Sequence, residues 1–359
     1  MGCVATRVYP AGHPKTGWNR PGSHAQSFMM AISTKWVIAS CSTTFGRYAK
    51  EPITRLVEAG CVVKMNPYQR QLSRRELAAL AADADVLVVG NTVIDGPLLK
   101  HMPNLKLIVR NGVGVENIDL VEAGKRGITV ANVPGGNRDE TADLVFGLII
   151  GLERQLYTNV YGVKHDTWRK FPGHTLSGQT LGIVGVGSIG MAVARRAEGF
   201  GMKVLGYDIA ERELATLYGL EFTTLNDLLK RSDVVSLHVP LTDATANMIG
   251  SKELRMIGPK GYLINTARAG IVREASLEKA LLSGGLGGYA TDVYEREPPR
   301  HSPIFDLQNV LVTPHIGSST FEANLRMGDI VADNILAAMA GDLPPNIVDS
   351  RSLANSLLR

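Results

Sequence analysis

The run Thr180-Leu-Gly-Ile-Val-Gly185-Val-Gly187-Ser-Ile-Gly190-Met-Ala-Val-Ala constrains the fold of this chain more than any other segment. Apolar residues suited to a buried strand lead into three glycines, and an Ala-rich stretch suited to a helix follows at once. A second strand-like run, Lys203-Val-Leu-Gly-Tyr, then ends on Asp208. Strand, glycine turn, helix and strand in this order demand a parallel sheet with helices on its faces. Gly185 permits the tight turn, Gly187 lets the backbone approach a pyrophosphate, and Gly190 lets helix and strand pack closely. Amides at the helix start can hold phosphate. A carboxylate at Asp208 can accept hydrogen bonds from both ribose hydroxyls and would repel a 2′-phosphate, which favours NAD over NADP.

The same alternation fills the rest of the chain. Strand-like runs stand at Trp36-Ser40, Val62-Asn66, Val86-Val89, Leu107-Val109 and Thr129-Val130, with helical stretches at Pro52-Ala59, Ser73-Ala82, Gly96-Lys100 and Leu120-Arg126. Ser73 precedes Glu76 by three positions, the mark of a capping box. Apolar residues at Ala142, Val145, Phe146, Ile149 and Leu152 predict a longer helix over Arg138-Gln155, which could cross between two lobes. A second alternating set runs from Thr180 to Thr313, and a last amphipathic helix follows Glu322 and ends near Gly341.

In that second set, three apolar runs each deliver a charged side chain just past a strand. They lead into Asn265-Thr-Ala-Arg268, Asp292-Val-Tyr-Glu-Arg-Glu297-Pro298 and Thr313-Pro-His315-Ile-Gly317. Ligands of a parallel α/β sheet sit beyond the carboxyl ends of its strands. An arginine, a glutamate and a histidine at one sheet edge are an anion clamp, a carboxylate and a proton carrier. Together they suit acid–base chemistry on a small anionic substrate.

At 359 residues the chain has room for two domains, and 45% hydrophobic with 20% charged residues is a globular composition. Three of the four net positive charges lie in residues 1–30, as Arg7, Lys15 and Arg20 with no acid, so the remainder is near neutral. That leaves no electrostatic footprint for nucleic acid or a membrane surface. No apolar run approaches the roughly 18 residues that span a bilayer. Cys3, Cys41 and Cys61 are too few for a disulfide framework and fit a reducing cytoplasm. The histidines outside the three segments form no ligand-like cluster, so no metal is expected. Residues 1–33 lack periodicity and read as a disordered or mis-started extension. Met1-Gly2-Cys3 formally fits a myristoylation pattern, one short enough to arise by chance.

With Asn111-Gly-Val-Gly-Val-Glu-Asn-Ile-Asp119 and Ser236-Leu-His-Val-Pro-Leu241 added to these motifs, the chain resembles the D-isomer-specific 2-hydroxyacid dehydrogenases from about Val37 to Pro345. It looks most like the D-3-phosphoglycerate dehydrogenase branch without the C-terminal regulatory domain. The resemblance implies two Rossmann-like lobes, in which an NAD-binding doubly wound parallel sheet (131–313) is inserted into a flavodoxin-like substrate-binding lobe (34–130 and 314–345). A tail at 346–359 and a homodimer built largely through the inserted lobe complete the expectation.

The resemblance also implies roles. His315 would exchange the proton, with Glu297 fixing its tautomer, and Arg268 would clamp the substrate carboxylate. Backbone amides around Asn111, Gly112 and Val113 would grip that carboxylate from the opposite lobe. Gly185, Gly187, Ser188, Ile189 and Gly190 would hold the pyrophosphate, Asp208 the ribose, and Pro240 and Thr245 would lie near the adenosine. Thr266, Ala267, Arg268, Asp292, His315 and Gly317 would face the nicotinamide end. His238 ends a strand and suits a structural or cofactor-proximal place, and Asp143 would cap or brace the crossing helix.

One departure bears on the substrate. Gly90, followed by Asn91 and Thr92, stands where phosphoglycerate dehydrogenases carry a phosphate-holding arginine. Arg110 or Arg138 could supply charge instead. The leading expectation is D-3-phosphoglycerate oxidised to 3-phosphohydroxypyruvate. The alternative is a reductase of glyoxylate, hydroxypyruvate or another keto acid, and a remote one is a non-catalytic NAD-sensing corepressor-like protein.

Overall fold

A computed structural model describes residues 35–68, 70–209 and 219–348. The expected N-terminal extension (1–33) and most of the expected tail lie outside the described residues. From Trp36 on, the chain forms one compact unit with two parallel sheets.

The first sheet holds β1 (Val37–Ser40), β2 (Val62–Met65), β3 (Val86–Val89), β4 (Leu107–Arg110) and β5 (Thr129–Ala131), in the order β2-β1-β3-β4-β5. All pairings are parallel. Successive residues of a strand point to opposite faces, and both faces of this sheet are covered. On one side Ala39, Leu87, Val89 and Ile108 pack with Leu77, Leu98 and Ala123 of the flanking helices. On the other, Ile38, Val86, Val88 and Leu107 meet Ala323, Met327, Val331 and Ile335 of the closing helix Phe321–Ala340. Both ends of the described chain therefore build one lobe. Residues 346–348, expected as tail, return to the open edge of β5: Ile347 bridges Ala131, and Val348 N donates to Val130 O at 2.8 Å.

The second sheet holds β6 (Thr180–Val184), β7 (Lys203–Tyr207), β8 (Leu220–Phe222), β9 (Val234–Leu237), β10 (Tyr262–Asn265), β11 (Gly288–Thr291) and β12 (Val310–Val312). Its order is β12-β11-β10-β9-β6-β7-β8, all parallel, with the direction of winding reversing at β6. One face packs on the crossing helix Arg138–Glu153 and the helix Ser188–Gly199 through Val145, Ile149, Ile183, Val193 and Ile264. Asp143, on the crossing helix, accepts from Arg196 Nε at 2.6 Å, so it braces these two helices rather than capping one.

Strand positions agree with the sequence expectations to within a residue or two, because fully buried strands read as short apolar runs. The Ser73 capping box is present, with Glu76 reaching back to the Ser73 amide. The crossing helix stops at Glu153 rather than Gln155, because Gln155 adopts a left-handed backbone (φ 46°). A separate helix, Leu156–Lys164, starts there and was not expected. Its apolar Leu156, Val160 and Val163 recur at helical spacing but face solvent.

Candidate active site

The glycine turn follows β6, where the winding of the second sheet reverses, and that is where an open α/β sheet leaves a ligand crevice. Gly185 has φ +95°, and a Cβ there would meet the His238 backbone at 2.7 Å. At Gly187 the space a Cβ would take is open, and at Gly190 it is occupied by the Gly185 carbonyl. Gly187 caps the helix that Ser188 and Ile189 begin. Asp208 follows β7 and folds back over the turn, where its Oδ2 accepts from Val186 N at 2.7 Å. These residues fit a dinucleotide: a bare turn, a helix start and a carboxylate beside it. Thr266 adds a buried hydroxyl without a partner among the described residues, an acceptor or donor that a bound ligand would satisfy.

The three charged segments leave the same carboxyl edge of the second sheet as this turn, from β10, β11 and β12. Arg268 follows β10, Glu297 lies beyond β11 and is joined to Pro298 by a cis peptide, and His315 follows β12. His315 Nδ1 and Glu297 Oε1 are 2.6 Å apart. Burial pushes the Glu297 carboxyl up, but the hydrogen bond and charge of His315 outweigh it and hold the group below its ordinary value. His315 has a left-handed backbone, φ 54°, an unusual conformation for a side chain of this size. Asp292 supports it. Its Oδ1 accepts from Ile316 N and Thr313 Oγ1, each at 2.7 Å, and its Oδ2 from Gly317 N at 2.7 Å. Three of its four acceptor positions thus hold the histidine loop, leaving one lone pair for a ligand. The same loop is tied through Gly317 O to Thr141 of the crossing helix at 3.1 Å. Tyr294 completes the support by donating to Thr313 O at 2.7 Å.

Asn265, buried and not singled out from the sequence, shapes the arginine turn. Its amide donates to Arg268 O and its Oδ1 accepts from Ala267 N. Arg268 then reaches across to the first sheet's loop, where Nη2 lies 3.4 Å from Glu116 Oε2. A partly exposed pair of this kind contributes on the order of 0–1 kcal/mol. A bidentate carboxylate, with charge-assisted bonds about twice as strong as neutral ones, would take its place.

The first sheet brings the other wall. The Asn111 amide donates to Val89 O at 2.9 Å, so it is committed to the sheet and is not a carboxylate donor, contrary to expectation. The Gly112 and Val113 amides have no partner among the described residues and remain open. Arg110 is likewise occupied. Its Nε donates to Gly114 O, Nη1 to Asn111 O and Nη2 to Asn91 Oδ1, at 3.0, 2.8 and 2.8 Å. Burial, then the like charge of Arg268, pushes it down to about 10. Arg138 is exposed and pairs with the adjacent Asp139. Gly90 lies against the loop after β1, where a Cβ would meet Ser42 Cα at 3.2 Å.

Two expected cofactor contacts lie on the loop after β9. Thr245 Oγ1 donates to Pro240 O at 2.6 Å and accepts from Thr242 N, which closes a turn at the sheet edge. His238 is half-buried, bonded to Ser236 Oγ at 2.8 Å and pushed down to about 4 by burial, as a structural histidine is.

Two parallel α/β sheets, one carrying a dinucleotide-fitting turn and an Arg–Glu–His trio along a single edge, are the architecture of a nicotinamide-dependent oxidoreductase. Residues 146–317 match the model of the D-isomer specific 2-hydroxyacid dehydrogenase NAD-binding domain. A glyoxylate reductase of Thermococcus litoralis is 44% identical over 284 residues, covering 76% of this chain and 86% of that protein. A D-3-phosphoglycerate dehydrogenase of Methanocaldococcus jannaschii is 38% identical, covering 80% of this chain and 56% of the relative. The crystal structure of the TT0316 protein from Thermus thermophilus superposes with a TM-score of 0.79 at 34% identity, over 87% of this chain and all of that one. The chain belongs to the D-isomer specific 2-hydroxyacid dehydrogenase family, and it is an NAD-dependent oxidoreductase.

Proposed function

We propose that the protein reduces glyoxylate and similarly small 2-keto acids to D-2-hydroxy acids. Bound NADH supplies the hydride. His315 gives its proton to the keto oxygen, and Glu297 at 2.6 Å stabilises the imidazolium and fixes which nitrogen faces the substrate. Arg268 and the open amides of Gly112 and Val113 hold the substrate carboxylate from opposite sides. Ser188 and Ile189 receive the pyrophosphate, and Asp208 the ribose. The first sheet with the closing helix is then the substrate lobe (34–130 and 314–345), and the second sheet the cofactor lobe (131–313).

The observation that carries the substrate reading is the first sheet's wall. The position of a phosphate-holding arginine is Gly90, packed on Ser42, and Arg110 spends its donors on the protein's own loop. Glyoxylate reductases among the similar proteins, covered over most of their length, support the same choice. D-3-phosphoglycerate, the leading expectation from the sequence, has less to hold its phosphate.

The reading includes a homodimer. Leu156, Tyr157, Val160, Tyr161 and Val163 form an exposed apolar strip, with Trp168 85% exposed close by in the chain. Such strips mark association surfaces, and a monomer mass by light scattering would remove this part. Cys41 and Cys61 are free and buried, which suits a reducing cytoplasm. The reaction itself is tested by His315→Gln. Glyoxylate-dependent NADH oxidation should fall by about 10²–10⁴-fold, while NADH binding followed by fluorescence stays intact. Undiminished turnover would exclude His315 as the proton carrier.

A further inference from the structure

Glu297 is held from two sides by residues that differ in kind. Its Oε1 faces His315, and its Oε2 accepts from Asn91 Nδ2 at 3.2 Å. Asn91 follows β3 of the first sheet, so this bond crosses the cleft from the substrate side to the proton machinery of the other sheet. The amide is fixed in its turn by Arg110, whose Nη2 donates to Asn91 Oδ1 at 2.8 Å. A guanidinium can only donate and a carboxylate can only accept. An amide placed between them therefore has one orientation, with its NH₂ toward Glu297. The loop that presents it is braced on both sides, because Asn117 Nδ2 donates to Gly90 O at 3.0 Å and to Thr92 O at 2.7 Å.

We infer that Asn91 is a positioning residue of the proton-transfer pair, gripping Glu297 from the opposite sheet so that its carboxylate stays charged and aimed at His315. The inference rests on the assignment of His315 as proton carrier. It explains why Arg110 is directed along the loop rather than outward: it is the fixed end of a line running Arg110, Asn91, Glu297, His315. The Tyr294 backbone also bonds Glu297 and favours its charged form, but it does so from the loop that carries Glu297, so Asn91 is the contact from the first sheet. Tyr294 is pushed up to about 12 by burial and commits its hydroxyl to Thr313 O, and Asp292 commits its carboxylate to the histidine loop. The bond also makes the pair dependent on lobe position, because Asn91 touches Glu297 only when the two sheet edges face each other as here.

The direction of the pH effect follows from the chemistry. Reduction needs a protonated donor, so kcat/KM falls as pH rises through that donor's midpoint. Without the Asn91 bond, Glu297 is less firmly ionised and less well aimed, the imidazolium loses support, and the midpoint moves to lower pH. The test is the pH profile of glyoxylate-dependent NADH oxidation for Asn91→Ala between roughly pH 5 and 9. The alkaline midpoint should fall by about half a unit or more, kcat at neutral pH should drop, and KM for NADH should hold. Asn91→Gln, which keeps the amide, should recover much of the shift. Asn91 is exposed, so the alanine variant keeps the fold. A midpoint that matches the unaltered enzyme overturns the inference, whether or not the rate falls uniformly. His315→Gln run alongside separates the two levels: its full activity would remove the proton-carrier reading, whereas its inactivity with an unmoved Asn91→Ala profile removes only the role of Asn91.

Discussion

The carboxyl edges of the two sheets face the same cleft but use their polar residues differently. Beyond the second sheet, Arg268, Glu297 and His315 project from loops fastened by other residues: Asn265 under the arginine, Asp292 and Tyr294 under the histidine. Beyond the first sheet, the polar groups fasten one another. Arg110 binds three loop oxygens, Asn111 binds Ser42 and Thr44 through its side chain, and Asn117 spans Gly90 and Thr92. The second edge presents its charged side chains, and the first is a firm wall whose Arg110 is consumed by its own loop and whose Gly112 and Val113 amides have no partner among the described residues. On the proposed reading, the second edge carries the reaction and the first selects the substrate.

The contrast breaks first at Arg268. Arg268→Gln should lower kcat/KM for glyoxylate by about 10²–10³-fold, on the scale of a lost charged donor in a catalytic site, read by steady-state NADH oxidation. A loss below tenfold would move the carboxylate clamp to the first sheet. A smaller effect is expected at Asp208, which ties down Val186 and on the proposed reading receives the ribose. Asp208→Ala should weaken NADH by about tenfold, on the order of 1.4 kcal/mol, and narrow its preference over NADPH. An unchanged NADH to NADPH ratio by fluorescence titration would leave Asp208 as a brace of the turn alone.

Much of the second edge is legible in the sequence, because Arg268, Glu297 and His315 each sit on the loop after an apolar strand, β10, β11 or β12, and so emerge at the same sheet edge. The strands themselves are legible for the same reason. Gly185 and Gly190 announce their geometry, since no other residue fits a left-handed or occupied position, while Gly187 leaves the turn bare. The wall is less legible. Arg110 looks like a free cation on paper, and only the fold of residues 110–114 shows its donors consumed. Asn111 likewise hides that its amide belongs to the β3–β4 ladder. Asn91 and Glu116 owe their meaning to which loop of the other sheet they meet, and local pattern carries no such information. The helix Leu156–Lys164 is hidden in the sequence because its apolar stripe continues the preceding helix, while one left-handed residue, Gln155, separates the two.

The most direct test of this division compares two substrates at the wall. With saturating NADH, kcat/KM for glyoxylate should exceed that for 3-phosphohydroxypyruvate, since no arginine stands free to receive the phosphate at Gly90 or Arg110. A clear preference for 3-phosphohydroxypyruvate, lost on Arg110→Met with glyoxylate turnover retained, would contradict the account. It would mean that Arg110 leaves its loop to bind phosphate.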